Sequence, residues 1–422
     1  MRDINLAFFN WEISRERGFM KRSTILSGLA VVVFSTAAGA VKIPLPPELK
    51  DAALNFNVQM QAWDQATENG GPTTLSGTTA WDDRIFLRRA RLIVSGDFNK
   101  QIHFFVNIDA PNTGRINNNG SVVGLPGPVV IQDLRMIYEP IPGIFIVGGF
   151  LIEPLSHHLH QSTLSFNTLE IHTATLRFQQ TSTGQTNTAF REPGIESHGW
   201  LFDKRLGFRV GLYNGVRGTS GDPLGPLNPD GIPRIAGYLH LNLLESEERG
   251  FLYQGTYFTD KPILSIGVGT NYQPKSVRNL SPTTGAAIAG VSDYRGSAAD
   301  VFLEYPFPGD QAINAQVAFY NYSFGDAHPS SGNGFFADLA YRIGQWQPVV
   351  SYEYFSGNSN AALPDDARIW TAGLNWWINK TATNLKIEFQ HLRRGALTSP
   401  SGTPTAGNQN QKIVTLAGQL FF

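Results

Sequence analysis

The chain has 422 residues, with 33 Lys and Arg against 34 Asp and Glu, 43 glycines and no cysteine. Near-neutral charge gives no general attraction to nucleic acid or anionic surfaces, and the missing cysteine excludes disulfide staples and thiol chemistry. Abundant glycine and a 12% aromatic share suit an all-β chain rich in turns and interfacial rings.

Residues 1–40 read as a leader outside the fold. Lys21 and Arg22 form a positive n-region, Ile25 to Phe34 a short apolar core, and Ala38-Gly39-Ala40 a cleavage site. Met20 directly precedes this signal, so a translation start there is expected, with the mature chain beginning near Val41. Loss of Arg2, Arg15, Arg17, Lys21 and Arg22 with Asp3, Glu12 and Glu16 takes the net charge from −1 to −3. No later stretch has the roughly eighteen consecutive apolar residues of a membrane helix. An exported chain of this kind is soluble in the periplasm, secreted, or held in an outer membrane by strands.

A short periplasmic segment, 41–53, is expected to precede a barrel over 54–422. LNFNVQMQAWD (54–64) alternates Leu54, Phe56, Val58, Met60 and Ala62 against Asn55, Asn57, Gln59 and Gln61. RIFLRRARLIVSGDF (84–98) follows, with Ala90, Leu92, Val94 and Phe98 opposite Arg89, Arg91, Ser95 and Asp97. A period of two means an extended strand between unlike environments. This one is about long enough to cross a bilayer at a tilt, apolar toward lipid and charged toward water. A turn at Asn99-Lys100 leads to QIHFFVNIDA (101–110), so a long loop precedes a short turn, the rhythm of an outer-membrane barrel.

The pattern predicts further strands at 130–139, 143–150, 196–203, 206–213, 233–243, 262–272, 295–305, 312–323, 334–342, 347–357, 367–378, 384–393 and 411–422. Segments 171–180 and 251–258 also look extended, but counting either alone breaks the alternation of strand direction. Omitting both gives about 16 strands, an even number. Leu151 to Pro193 then becomes one long extracellular loop, and a loop of that length is usually functional. Trp63, Tyr138, Tyr341, Trp346, Trp370 and Trp376 fall near strand ends, where a membrane would place amphipathic rings.

The terminal strand ends on aromatic Phe422, which resembles the insertion signal read by outer-membrane assembly machinery. FLRRARLIVSGDF, VGGFLIEPLS (147–156), FRVGLYNG (208–215), YQGTYF, SAADVFLEYPF and WTAGLNWWINKTATNLKIEFQH, in that order, resemble the phosphate-selective porin O and P family of Gram-negative outer membranes. The resemblance implies a 16-stranded trimeric pore whose third loop folds inward, in contact with outer-membrane lipid and lipopolysaccharide. The family commonly has a lysine where this chain has Leu151, and SFNTLE (165–170) lacks the basic residue often found in the constriction loop.

Alternation assigns Arg89, Arg91, Arg135, Arg209, Arg342 and Lys386 to the lumen as positives. Asp97, Asp109, Asp133, Asp300, Glu304, Asp338, Glu353 and Glu388 are its negatives. Arginines on one wall and acids on the other would make a transverse field in a pore for small solutes and ions. The alternative role for Arg89 and Arg91 is pairing with Asp97, Asp109 or Asp133 on neighbouring strands. Glu153, His157, His158 and His160 are candidates for the constriction, where histidines would change conductance between about pH 5 and 7. His-His-x-His also has ligand-bearing residues, but a loop gives no metal geometry, so neither metal nor cofactor is expected. No G-x-S-x-G, His-Glu-x-x-His or phosphate-binding glycine loop supports an enzyme. A closed structural or adhesive barrel remains the second reading of the same strand pattern.

Overall fold

A computed structural model describes residues 41–42, 53–68, 81–116, 122–123, 129–176, 190–217, 221–247, 251–361, 366–394, 397–398, 404–405 and 409–422. The expected leader over 1–40, with its cleavage site, lies outside the described residues. The wall strands are β1 (Ala53–Glu68), β2 (Trp81–Asp97), β3 (Ile102–Asp109), β4 (Val130–Ile141), β5 (Ile144–Ile152), β6 (Arg191–Leu201), β7 (Leu206–Tyr213) and β8 (Arg234–Asn242). They continue as β9 (Ile263–Leu280), β10 (Ala287–Phe307), β11 (Gln311–Ser323), β12 (Gly332–Ile343), β13 (Trp346–Gly357), β14 (Ala367–Thr381), β15 (Thr383–Arg394) and β16 (Gln409–Phe421).

Each strand pairs antiparallel with its sequence neighbours, and β1 pairs with both β2 and β16, so the sheet closes on itself. Closure removes every edge, which a lipid solvent requires because it offers no partner for an unpaired N–H or C=O. Val41–Lys42 adds a two-residue stub to β1, opposite Asn55 and Phe56, just below the point where β16 ends. The 16 expected strands are all present. Segment 171–180 holds one helical turn, α1 (Thr173–Leu176), before the described residues stop, and 251–258 is not a wall strand.

One rim carries short connections such as Pro142-Gly143 and Gly344-Gln345; the other carries the long loops. Outward faces are apolar and exposed: Leu134 and Met136, Val210 and Leu212, Leu239 and Leu241, and Ile266 and Val268 are examples. Tyr138, Phe202, Tyr305, Trp346 and Phe422 stand exposed near the short-turn rim, and Trp81 and Trp370 near the other. Trp63 departs from this girdle. It lies on the inward face with Gln61, 6% exposed, and packs with Phe86 at 5.9 Å. The reason is parity: an odd-numbered residue of β1 faces inward with Gln59 and Gln61 whatever its distance from the strand end.

β9 and β10 are longer than the sequence pattern predicts. Their pairing continues past a register shift between Gln273 and Val277, and raises the hairpin beyond the length a membrane crossing needs.

Glycine is required where something approaches closely. Gly149 has φ +140°, and a Cβ there would meet the Leu134 carbonyl at 1.9 Å. A Cβ on Gly269 would meet the Leu155 carbonyl of the β5–β6 loop at 2.0 Å, so this glycine lets the loop lie against β9. Gly269→Ala is expected to leave the barrel folded but weaken loop docking by about 1–3 kcal/mol. Faster proteolysis within 155–176, with unchanged heat-modifiable gel mobility, is the expected result.

Candidate functional site

The waist of the barrel begins with its charges. Arg84, Arg88, Arg89 and Arg91 come from β2, Arg135 from β4, Arg191 from β6 and Arg209 from β7. Across the lumen stand Asp300 and Glu304 on β10, Asp338 on β12, Glu353 on β13 and Glu388 on β15. The basic wall also holds acids. Asp109 takes the Arg91 Nε at 2.9 Å, Asp133 takes Arg135 and Arg191 at 2.8 and 3.0 Å, and Glu196 takes Arg209 at 3.1 Å. Arg91 therefore has the wall partner that its spacing allowed.

The described part of the β5–β6 loop, 153–176, folds inward and is buried from Glu153 to Ser162. It docks on the acidic wall, where carboxylates accept from its backbone and histidines. The His157 N–H donates to Asp300 at 3.0 Å, the Leu169 N–H to Glu388 at 2.9 Å, and the Thr173 N–H to Glu353 at 2.6 Å. The His172 ring bridges Glu353 at 2.8 Å and Asp338 at 3.0 Å. Glu153 anchors the loop's start on Arg234 at 2.7 and 2.8 Å. Its far side reaches the basic wall through Glu170, 2.5 Å from Arg88 and 3.0 Å from Arg89, and through Thr163 Oγ1, which accepts from Arg91 at 3.0 Å.

The candidates thus divide. Arg89, Arg91, Asp109, Asp133, Arg135 and Arg209 gather on one wall. Lys386 and Arg342 stand apart from it: the Lys386 ammonium donates to the Phe166 carbonyl, and Arg342 bonds Asp310 in a rim turn at 2.5 Å. Both are buried and paired, as are Arg89, Arg135 and Arg209. Asp97 sits half-exposed at the short-turn rim beside His103. Side-chain exposure is uneven along the basic wall, 23% at Arg88, 11% at Arg91 and 10% at Arg191 but 5% at Arg89 and Arg209 and 2% at Arg135, against 1% at Asp338 and 6% at Glu353.

No family model and no curated protein matches the sequence. Solved structures do match. OprB of Pseudomonas putida aligns with TM-score 0.60 and 10% identity over 87% of this chain and 94% of that one. An anion-selective porin from Comamonas acidovorans aligns with TM-score 0.55 and 14% identity, covering 88% and 100%. OmpT of Vibrio cholerae, in a trimer form, aligns with TM-score 0.53 and 12% identity, covering 88% and 99%. At these identities the likeness establishes the fold. The chain has the closed antiparallel barrel fold of these Gram-negative outer-membrane proteins.

In this outer-membrane barrel the short-turn rim is periplasmic, and one connection there is long. Residues 243–262 join β8 to β9, and among them the described residues 251–257 lie in the lumen. Ser162 N–H donates to the Tyr253 carbonyl at 2.8 Å, and Tyr253 N–H to the His160 carbonyl at 2.9 Å. Tyr253 stacks on His157 at 4.6 Å and on His240 at 5.0 Å. Glu247 accepts from His157 Nε2 at 2.6 Å and from Tyr257 at 2.8 Å. The waist is therefore filled from both ends.

Sequence reasoning missed Arg88, Glu170 and this second segment. A β-bulge opposite Gln61 and Ala62 breaks the alternation, so Arg88 and Arg89 both reach Glu170. The segment's signal was its length, 20 residues on a side where turns are short.

Two of the constriction candidates, His158 and His160, do not titrate where the sequence pattern placed them. Burial, reinforced by His172, brings His158 down to about 3, and burial holds His160 well below the usual range. For His172 burial opposes the charge, but Asp338 and Glu353 outweigh it and raise the ring to about 10. A raised pKa stabilises the docked loop fully below the ordinary histidine value of about 6.5, and that stabilisation fades as pH rises through about 10. Protease protection of 165–176 is thus expected to hold from pH 5 to 8 and fall near pH 10. His172→Gln should lower protection at neutral pH and remove the alkaline step; an unchanged step would refute the assignment.

Proposed function

We propose that this barrel is a channel for passive diffusion of small hydrophilic solutes and ions, with small anions such as phosphate favoured. The observation that carries the reading is the one-sided neutralisation of the waist. The acids of β10, β12, β13 and β15 accept hydrogen bonds from inserted segments, while Arg88, Arg91 and Arg191 keep partial exposure. A solute crossing the waist then meets Arg88, Arg89, Arg91 and Arg191, and cationic linings draw anions because low-dielectric walls concentrate their field. This agrees with the resemblance to phosphate-selective porins. The anion-selective porin among the structural neighbours is consistent with it.

The chain is read as a homotrimer, in keeping with that resemblance and with the trimer form of one neighbour. Export through the 1–40 signal, insertion by the assembly machinery at the aromatic C-terminus, and a lipid and lipopolysaccharide surround complete the proposal. No catalytic role is assigned. The second reading, a closed structural barrel, is favoured by one observation: the two inserted segments together touch both walls of the waist.

Planar-bilayer recording under a salt gradient decides between them. Conductance steps with an anionic reversal potential are expected, displaced further toward the anion limit by Glu170→Gln. The triple change Arg88→Ala, Arg89→Ala, Arg91→Ala should reduce the anion-to-cation permeability ratio several-fold. A cationic potential would sink the anion preference, and silence from folded protein would favour the closed barrel.

A further inference from the structure

Phe251 covers part of the proposed anion path. Its ring lies 3.7 Å from the Arg135 guanidinium carbon and 4.5 Å from that of Arg209, measured to the ring centroid, and its carbonyl accepts from Arg209. A π face and a carbonyl oxygen are the two neutral groups that most resemble an anion to a guanidinium. Phe251 therefore holds the position that a permeating anion would take on these two arginines.

The rest of the segment has the build of a docked strap. Gly255 N–H donates to Ser165 Oγ at 2.9 Å and its carbonyl accepts from Asn314 at 2.6 Å. Thr256 Oγ1 donates to Asn167 at 2.7 Å, and Tyr257 and Thr259 N–H groups reach Glu304 at 2.6 and 3.2 Å. Water or an incoming solute can replace these polar contacts, and beside them Tyr253 packs on His157 and Tyr257 on Phe302. Beside Phe251's arginines, His160 is fully buried.

We propose that residues 251–257 form a gate inserted from the periplasmic rim, with Phe251 as an internal anion surrogate that a permeating anion displaces from Arg135 and Arg209. The proposal rests on the reading of the barrel as an anion-favouring channel. It makes Phe251 a determinant of both conductance and selectivity. It also assigns the closing element to the β8–β9 segment, and leaves the β5–β6 loop as the fixed frame against which that segment docks.

The test uses the full refolded chain in planar bilayers with potassium chloride and then potassium phosphate. Phe251→Ala is expected to raise single-channel conductance several-fold and move the reversal potential toward the anion. The chain has no cysteine of its own, so the pair Thr256→Cys and Asn167→Cys can lock the gate uniquely. Oxidised channels should conduct several-fold less than the same channels after reductant. If Phe251→Ala matches wild type, and oxidised and reduced pairs conduct alike, the gate is overturned while the channel reading stands. If folded wild type and both variants are all silent, the channel reading itself fails and the gate with it.

Discussion

The structure turns on where the carboxylates of the acidic wall find hydrogen-bond donors. A carboxylate in a dry, narrow lumen costs several kcal/mol unless it is paired or hydrogen-bonded. Asp300, Glu304, Asp338, Glu353 and Glu388 meet this demand with backbone N–H groups of the two inserted segments and with the His172 ring. Loop position follows from that demand: the β5–β6 loop lies where its N–H groups and one imidazolium can neutralise the wall. Fewer groups draw it to the arginine wall, where Asp109, Asp133 and Glu196 already serve the guanidinium groups and Glu170 and Thr163 bridge across.

Closure of the sheet makes such a lumen possible. With every strand edge paired, the only free chemistry is that of the two faces, and alternation commits one to lipid and the other to charge. A single bulge in β2 then alters the count. By bringing Arg88 and Arg89 to the same side it doubles the cation density at the height of Glu170. A regular strand would have turned one of the two toward lipid, where an arginine is strongly disfavoured.

The legibility of this protein in its sequence follows the same division. Wall strands were readable because alternation over a membrane-crossing length is a local signal, and direction counting correctly removed 171–180 and 251–258 from the barrel. Trp63 was misplaced because distance from a strand end was weighed above parity. The two walls were readable as sets of charges, but their partners were not. Glu170 meets Arg88 across 82 residues of sequence, and Asp338 meets His172 across 166. The histidines were recognised as loop residues entering the waist, while their protonation depended on tertiary neighbours that no spacing encodes. The β8–β9 segment was the recoverable omission, since its length conflicts with the short turns of the periplasmic rim.

Net charge and pore charge are distinct quantities in a barrel of this kind. A chain of almost balanced charge can hold a waist of one sign, because balance is counted over all residues and selectivity only over those that water reaches. Here the inward-facing acids of β10 to β15 (Asp300, Glu304, Asp338, Glu353 and Glu388) are each hydrogen-bonded by an inserted segment, while Arg88, Arg91 and Arg191 on the basic wall keep partial exposure. The sign of the path arises by subtraction. Any change that lifts a segment off the acidic wall therefore does two things at once: it widens the lumen, and it returns negative charge to it. Width and anion preference are coupled through the carboxylates that hold the loops down. A gate formed by 251–257 escapes that coupling only in part, since its Phe251 end releases arginines while its Tyr257 end releases Glu304. The balance between those two ends fixes whether the open state is more anionic in preference than the closed packing implies.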